Sequence, residues 1–175
     1  SVHDWGCGTG VAARRFLTHV GSGPFVVSVS DRSPRATAFA RARILAEGRA
    51  ASVEIRSAPS PTDVLLLSHV LNELDRPGEA ALTEQLRLAR TILWVESAQR
   101  STSRRLSEFR DRLCGEGYTV LAPCPHQGPC GALLDPSAWC HHFAPVPAAV
   151  FQDADWARVG RTLGIDLRAL PYAFV

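Results

Sequence analysis

The chain has 175 residues, 46% of them hydrophobic, which is the size and composition of one domain with a substantial core. Its net charge is only +2, and all 19 basic residues are arginines. The longest apolar runs, such as Val64 to Leu67, have only four residues and are far too short to cross a bilayer. These features argue against a disordered or membrane-spanning chain and favour a soluble, intracellular protein.

Helix and strand patterns alternate along the chain. Helices are predicted over residues 11–20, 36–46, 79–89 and 103–113, and strands over residues 25–29, 53–55, 64–67, 91–95 and 118–121. Strands separated by helices of about ten residues predict a doubly wound, mostly parallel α/β sheet of Rossmann-like type, which binds ligands beyond the carboxyl ends of its strands. Only Ser1 to His3 precede the first turn, and the chain has no methionine, so we expect it to be a fragment.

The first turn is the glycine-rich motif D-x-G-x-G-x-G, formed by Asp4, Gly6, Gly8 and Gly10. Glycines let the backbone approach a ligand closely, and an acidic residue about twenty positions later, here Asp31, can bind ribose hydroxyls. The segment from Gly8 to Ala13 also satisfies G-x-G-x-x-A, so a nicotinamide or flavin site is an alternative, as are glycines that serve only a tight turn. With Asp4 two positions before the first glycine, the turn resembles the first motif of class I S-adenosylmethionine (SAM)-dependent methyltransferases. That resemblance implies that Asp4 helps to hold the methionine moiety of SAM and that Asp31 holds its ribose.

Polar residues follow the apolar run from Val64 to Leu67 directly. Ser68 and His69 are therefore expected at the carboxyl edge of a central strand, where cofactor and substrate meet. Ser68 is a candidate cofactor-binding residue, and the candidate catalytic residues are His69, Asn72 and Glu73. Alternatively, Asn72 and Glu73 only begin or cap a helix. The segment resembles the fourth motif region of class I methyltransferases but lacks their N-P-P-Y or D-P-P-Y signature, so methylation of a base amino group is not supported.

A proline- and glycine-rich segment contains Cys124, Cys130 and Cys140, with His126, His141 and His142 nearby. Thiolates gathered in a short irregular segment suit an iron–sulfur cluster or zinc, although the spacing does not match a C-x2-C zinc knuckle. Metal binding could order a loop that has little regular hydrogen bonding of its own. A local fourth ligand could be one of the three histidines or Cys114, and inert buried cysteines are the alternative.

Five arginines recur over a short helical stretch: Arg100, Arg104, Arg105, Arg110 and Arg112. Arginine suits contacts with phosphate, so this cluster is the best candidate in the chain for a surface that faces RNA. The alternative is an ordinary solvated face of a helix.

Several stretches together carry a family resemblance. They are D-x-G-x-G-x-G, S-H-V-L-N-E-L, W-V-E-S, A-P-C-P-H with a second cysteine six positions later, and W-C-H-x-F. The set resembles the methyltransferase-like proteins associated with the small ribosomal subunit, whose mitochondrial members are assembly factors. The resemblance implies a SAM fold with an iron–sulfur cluster, in which Cys124, Cys130 and Cys140 match the first three cysteine positions and the fourth lies beyond residue 175. Gly131 replaces the usual proline, a second histidine is present at 141–142, and residues 144–170 follow the family poorly.

The resemblance implies a SAM-binding domain over residues 1–121, a metal-binding loop over residues 122–143 and a C-terminal segment of the same domain over residues 144–175. It implies a methyltransferase that modifies ribosomal RNA or a ribosomal protein of the small subunit, located in the cytoplasm of a bacterium or in mitochondria. A non-catalytic assembly factor that uses the SAM and metal sites structurally is an alternative. A small-molecule methyltransferase is a further one.

Overall fold

The computed structural model describes residues 1–21 and 23–175. The chain divides into two compact units, Ser1–Val95 together with Val175, and Glu96–Phe174. The boundaries predicted from the sequence, at residues 121 and 143, both fall inside the second unit.

The first unit is a parallel sheet with helical crossovers. Its elements are β1 (Val2–Trp5), α1 (Val11–Val20), β2 (Val26–Ser30), α2 (Pro34–Ala46), β3 (Ser52–Ile55), β4 (Thr62–Ser68), a 3-10 turn (Leu71–Glu73), α3 (Arg76–Leu86) and β5 (Ala89–Ser97), whose last two residues belong to the second unit. The strand order is β3-β2-β1-β4-β5, and all four pairings are parallel. Because β-α-β crossovers are right-handed, α1 and α2 cover one face and α3 the other. The parallel α/β sheet predicted from the sequence is confirmed in this unit.

The direction of winding reverses between β1 and β4, which are neighbours in the sheet. In parallel α/β sheets this reversal leaves a crevice outside the carboxyl ends of the two strands. The glycine-rich turn follows β1 and His69 follows β4, so both lie at that crevice.

The core of the first unit explains the continuous apolar run in β4. Leu65, Leu66 and Leu67 are all buried, because a central parallel strand is covered on both faces. Ala13 and Leu17 of α1 and Ala40 and Ile44 of α2 pack with Val27 and Val29 of β2 in one cluster. Helix α2 begins at a capping residue, Ser33, whose hydroxyl accepts a hydrogen bond from the Ala36 N–H at 3.3 Å.

The second unit contains α4 (Arg100–Gly115), α5 (Gly131–Leu134), β6 (His142–Ala144), α6 (Ala149–Gln152), α7 (Ala154–Leu163) and β7 (Leu170–Phe174). Strands β6 and β7 pair antiparallel, with His142 opposite Tyr172. Helix α4 buries Leu106, Phe109 and Leu113 along one side. The strand predicted over residues 118–121 is wrong, because the Gln127 side-chain amide takes both backbone groups of Val120, at 2.7 and 2.9 Å.

No helix among the described residues is both long enough and apolar enough to cross a membrane.

Candidate functional site

The glycine-rich turn joins β1 to α1. Its three glycines have φ angles of 68°, 50° and 74°, which lie in the left-handed region. A Cβ on Gly6 would lie 2.7 Å from Cγ1 of Val70, and one on Gly10 would lie 3.2 Å from Cα of Ala40. These two glycines therefore allow close packing against α2 and against the segment after β4. A Cβ on Gly8 would meet no atom within 4 Å, so its backbone faces open space.

Asp4, at the end of β1, lies beneath this turn and is only 1% exposed. One carboxylate oxygen accepts a hydrogen bond from the Ala13 N–H, in the first turn of α1, at 3.1 Å. Burial raises the pKa of Asp4 to about 7; the hydrogen bond from Ala13 acts against this and the charge of Asp31 adds to it. The Asp4 carboxylate thus accepts the hydrogen bond of an N–H group at the N-terminus of α1, and this N–H is no longer available to bind a phosphate group.

We expect Asp4→Asn to raise the free energy of unfolding at pH 8 by on the order of 2 kcal/mol and to change it little at pH 4. The folded-state pKa lies above the unfolded value, so the proton-linked stabilisation is complete below about pH 4 and is lost as the pH rises towards 7. Asparagine never carries the charge whose burial is unfavourable. Urea unfolding at the two pH values measures the difference.

Asp63→Asn is the matched control, because Asp63 is an exposed carboxyl that accepts a hydrogen bond from the Ser1 hydroxyl at 2.8 Å. It should not stabilise the protein at pH 8. A gain for Asp4→Asn that is larger at pH 4 than at pH 8 would contradict the assigned direction.

Asp31 follows β2 and ties two loops together. One of its oxygens accepts a hydrogen bond from the Gly8 N–H at 2.9 Å, and the other accepts one from the Ser33 N–H at 2.8 Å. Each carboxylate oxygen has a second lone pair, so Asp31 can still accept hydrogen bonds from a ligand.

His3 belongs to the same region and was not predicted from the sequence. It is 2% exposed, and its ring nitrogens lie 2.7 Å from Ser28 Oγ and 3.0 Å from Ser30 Oγ. Burial, and then the charge of Arg56, lower its pKa to about 4, so the imidazole is neutral near pH 7. No signal in the sequence indicated this contact, because it depends on the pairing register of β1 and β2, which places His3 opposite Ser28.

A cavity of about 990 Å³ opens at the carboxyl ends of the strands, near the upper end of the size range for small-molecule sites. Among the residues predicted to bind a cofactor, those that line it are Asp4, Gly6, Gly8, Asp31 and Ser68. Gly10 packs against α2 instead. Two of the three candidate catalytic residues, His69 and Glu73, also line the cavity, whereas Asn72 is exposed in the 3-10 turn and does not.

The charged groups of the cavity favour a cationic ligand. Three carboxylates, Asp31, Glu73 and Asp75, line it against two guanidinium groups, Arg32 and Arg56, and Asp4 adds a further negative charge only above about pH 7. Arg32 and Glu73 come from different loops, and their charged groups lie 3.7 Å apart, with both side chains 73% exposed. The excess of carboxylate disfavours a dinucleotide pyrophosphate and suits a positively charged sulfonium.

The second unit contains the three cysteines predicted to share a metal. Cys124, Cys130 and Cys140 are half-buried free thiols. Burial, and then the proximity of the other two, raise the pKa of the Cys140 thiol, and its sulfur lies 3.7 Å from Nε2 of His142. Among residues 1–21 and 23–175, however, no three Cys, His, Asp or Glu side chains are arranged to hold a metal ion. The described side chains therefore do not show the predicted iron–sulfur cluster or zinc site, which stays a prediction.

Arginines of α4 form hydrogen bonds with the cysteine-containing segment, residues 124–140. Nη1 of Arg104 donates hydrogen bonds to the carbonyls of Ala132, Asp135 and Ala138 at 2.9, 2.8 and 2.7 Å. Arg100 donates to the Pro136 carbonyl. Hydrogen bonds from arginine to carbonyl oxygens therefore contribute to the order of the segment.

Arg110 makes the most buried of these contacts. Its side chain is 3% exposed, and it donates to the carbonyls of Gly128 and His126 and to the Asp111 carboxylate at 2.7 Å. Asp111 in turn accepts the Cys130 N–H at 2.9 Å. The expectation that Arg110 contacts RNA phosphate is corrected, because a buried guanidinium bonded to its own chain is not presented to a partner. Arg112 lies over the Phe109 ring at 4.5 Å, and no contact with RNA is shown for it or for Arg105.

The comparisons with known proteins agree with this fold. The methyltransferase domain of bacterial CtHen1 is 15% identical, with a TM-score of 0.53 over 68% of this chain and 77% of that chain. The protein Thermoplasma acidophilum 1320 is 16% identical, with a TM-score of 0.55 over 99% of this chain and 76% of that chain. At these identities the likeness shows the fold alone. No curated protein matches the chain.

A family model described as mitochondrial small ribosomal subunit Rsm22 matches residues 14–152. The match spans most of the chain, including α4 and the cysteine-containing segment. It confirms the family suspected from the sequence motifs. The chain therefore belongs to the Rsm22 family, and its parallel unit has the fold of class I methyltransferases.

Proposed function

We propose that the protein binds SAM and transfers its methyl group to a component of the small ribosomal subunit, either RNA or protein. The cavity at the reversal of the sheet carries this proposal, because it combines an open glycine backbone with an excess of carboxylates. The family description supplies the ribosomal partner, and for a eukaryotic source it points to mitochondria.

The residues that would hold SAM follow from their positions and charges. Asp4 and Asp31 offer carboxylate oxygens from the ends of β1 and β2, and Gly8 leaves room for a ligand against its backbone. When bound, SAM supplies a methyl group on a positively charged sulfur. Holding the acceptor close to that methyl group is the main contribution we assign to the protein. The proposal includes no metal, since no three ligands converge among the described residues.

A non-catalytic assembly factor is the second candidate. One observation favours it: Ser68-His69-Val70-Leu71 stands where many methyltransferases have N-P-P-Y or D-P-P-Y. Incubation with radiolabelled SAM and small subunits purified from cells that lack the protein separates the two candidates. Incorporation of label supports the enzyme, and SAM binding without incorporation supports the assembly factor.

We expect Asp31→Ala to weaken SAM binding roughly 10- to 100-fold, since it removes a charged acceptor and loosens the turn that it holds at Gly8. Isothermal titration calorimetry measures the change. Asp63→Ala is the control, because Asp63 is an exposed carboxyl in β4 of the same unit that does not line the cavity. Equal affinity in wild type and Asp31→Ala, or tighter binding of NAD than of SAM, would refute the proposed SAM site.

A further inference from the structure

His69 has a backbone conformation that its side chain disfavours. Its φ is 57°, and it is the only non-glycine residue with positive φ in the described ranges, 1–21 and 23–175. The left-handed region is costly for a residue with a Cβ, and apart from glycine mainly asparagine, aspartate and histidine enter it. Histidine at this position thus retains strain that glycine would relieve.

Contacts of His69 and of the next residue, Val70, hold the left-handed backbone conformation of His69 in place. The His69 N–H donates to the Val95 carbonyl at 2.9 Å, which fixes the residue to the end of β5. The next side chain, Val70, is buried in the space left open by Gly6. Strain that the neighbouring structure imposes on a single residue is found most often at functional sites.

The side chain of His69 lines the cavity and is exposed, so a ligand can reach its ring nitrogens. Charged groups face this cavity from the other elements around it: Asp4, Asp31, Arg32, Arg56, Glu73 and Asp75. Four of these six groups are acidic and two are guanidinium groups.

We propose that His69 is a catalytic residue that accepts the proton of the methyl acceptor, an inference that rests on the proposed methyltransferase function. The imidazole takes a proton from an O–H or N–H group of the acceptor. The freed electron pair of that oxygen or nitrogen forms a bond to the methyl carbon, while the carbon–sulfur bond breaks and its electron pair passes to sulfur. The products are the methylated acceptor, S-adenosylhomocysteine and an imidazolium, which releases its proton to water.

The proposed role of His69 as a base indicates which class of acceptor the site methylates. A base is needed when the attacking atom carries a proton that must leave, as in a hydroxyl or an amide-like N–H. A thioether or a ring nitrogen with a free lone pair needs none. His69 therefore assigns the site to acceptors that lose a proton on methylation.

Two substitutions of His69 distinguish its proposed role as a base from the effect of its strained backbone. His69→Asn keeps a residue that tolerates the left-handed conformation but removes the base, and His69→Gly removes both the base and the strain. With radiolabelled SAM and small subunits from cells lacking the protein, we expect His69→Asn to slow methyl transfer by about 10²- to 10⁴-fold. Its Kd for SAM should stay within about twofold of the wild-type value, since the proposed role is in chemistry and not in donor binding.

His69→Gly should melt at a higher temperature than wild type and still transfer slowly, and added imidazole should restore part of its rate. The pH profile of methyl transfer should differ between wild type and His69→Asn, because only the wild type carries the proposed base. His19→Asn, an exposed histidine of α1 outside the cavity, is the control and should behave as wild type in every assay.

Three results would overturn the proposal, each in a distinct way. If His69→Asn transferred methyl groups at the wild-type rate with an unchanged pH profile, His69 would not be the base, although the protein would still be a methyltransferase. A matching loss of SAM affinity and rate in His69→Asn would make His69 a donor-binding residue. Wild-type protein that binds SAM but labels no subunit component would refute the enzymatic function itself, and the base with it.

Discussion

Gly10→Val is expected to lower the free energy of unfolding of the first unit by about 4 kcal/mol, through backbone strain and overpacking acting together. The φ of Gly10 is 74°, a region that β-branched residues almost never adopt. An added Cβ would also lie 3.0 Å from the Ala40 Cβ and 3.2 Å from its Cα. Because Ala40 lies in the buried face of α2, the helix would have to move away from the turn.

Gly48→Val separates the two contributions. Gly48 has a φ of 65°, close to that of Gly10, but an added Cβ there would meet no atom within 4 Å. This control should show the strain alone, about 1–2 kcal/mol. Urea unfolding of both variants gives the comparison. If the two variants lost the same free energy of unfolding, the turn and α2 would not be packed closely enough for a Cβ on Gly10 to clash with Ala40.

Arg110→Ala is expected to destabilise the second unit by about 3 kcal/mol, the cost typical of breaking a buried charged pair. The substitution leaves the carbonyls of His126 and Gly128 without their donor and Asp111 without its cation. Hydrogen exchange at the Cys130 amide, which donates to Asp111, should accelerate. The global measurement is chemical unfolding followed by circular dichroism.

Arg112→Ala is the matched control on the same helix. Arg112 is exposed and lies over the Phe109 ring, a contact worth about 0.5–1 kcal/mol at the surface. A chelator added to wild-type protein completes the experiment. If the arginines order the cysteine-containing segment, exchange at Cys130 is unchanged by chelation; if chelation alone accelerates it to the Arg110→Ala rate, a bound metal is the source of order.

The parallel unit could be predicted because its signals are local. The glycine-rich turn, the apolar run of β4 and the residues after it occupy fixed positions in a known architecture, so Asp4, Asp31, Ser68 and His69 could be expected at one sheet edge. All four line one cavity. Their roles in binding or catalysis stay predictions, as position alone does not show what a side chain contacts.

The features that could not be predicted from the sequence depend on contacts between residues that are distant along the chain. Arg104 and Arg110 look like any exposed helical arginines in the sequence, because nothing nearby reveals that their partners are backbone carbonyls 16 to 34 positions later. The His3–Ser28 contact needed the strand register. Residues 118–121 have strand composition, but composition carries no information about the competing amide of Gln127.

The arginine contacts of α4 also imply an order of folding. Helix α4 precedes the segment that it holds, so its guanidinium groups are already displayed along one helix when residues 126–138 leave the ribosome. The donors all lie on one helix, so the later segment can pair its carbonyls with them one after another. We expect loss of these contacts to act mainly on the rate of unfolding, because the carbonyls that they join come later in the chain than the donors.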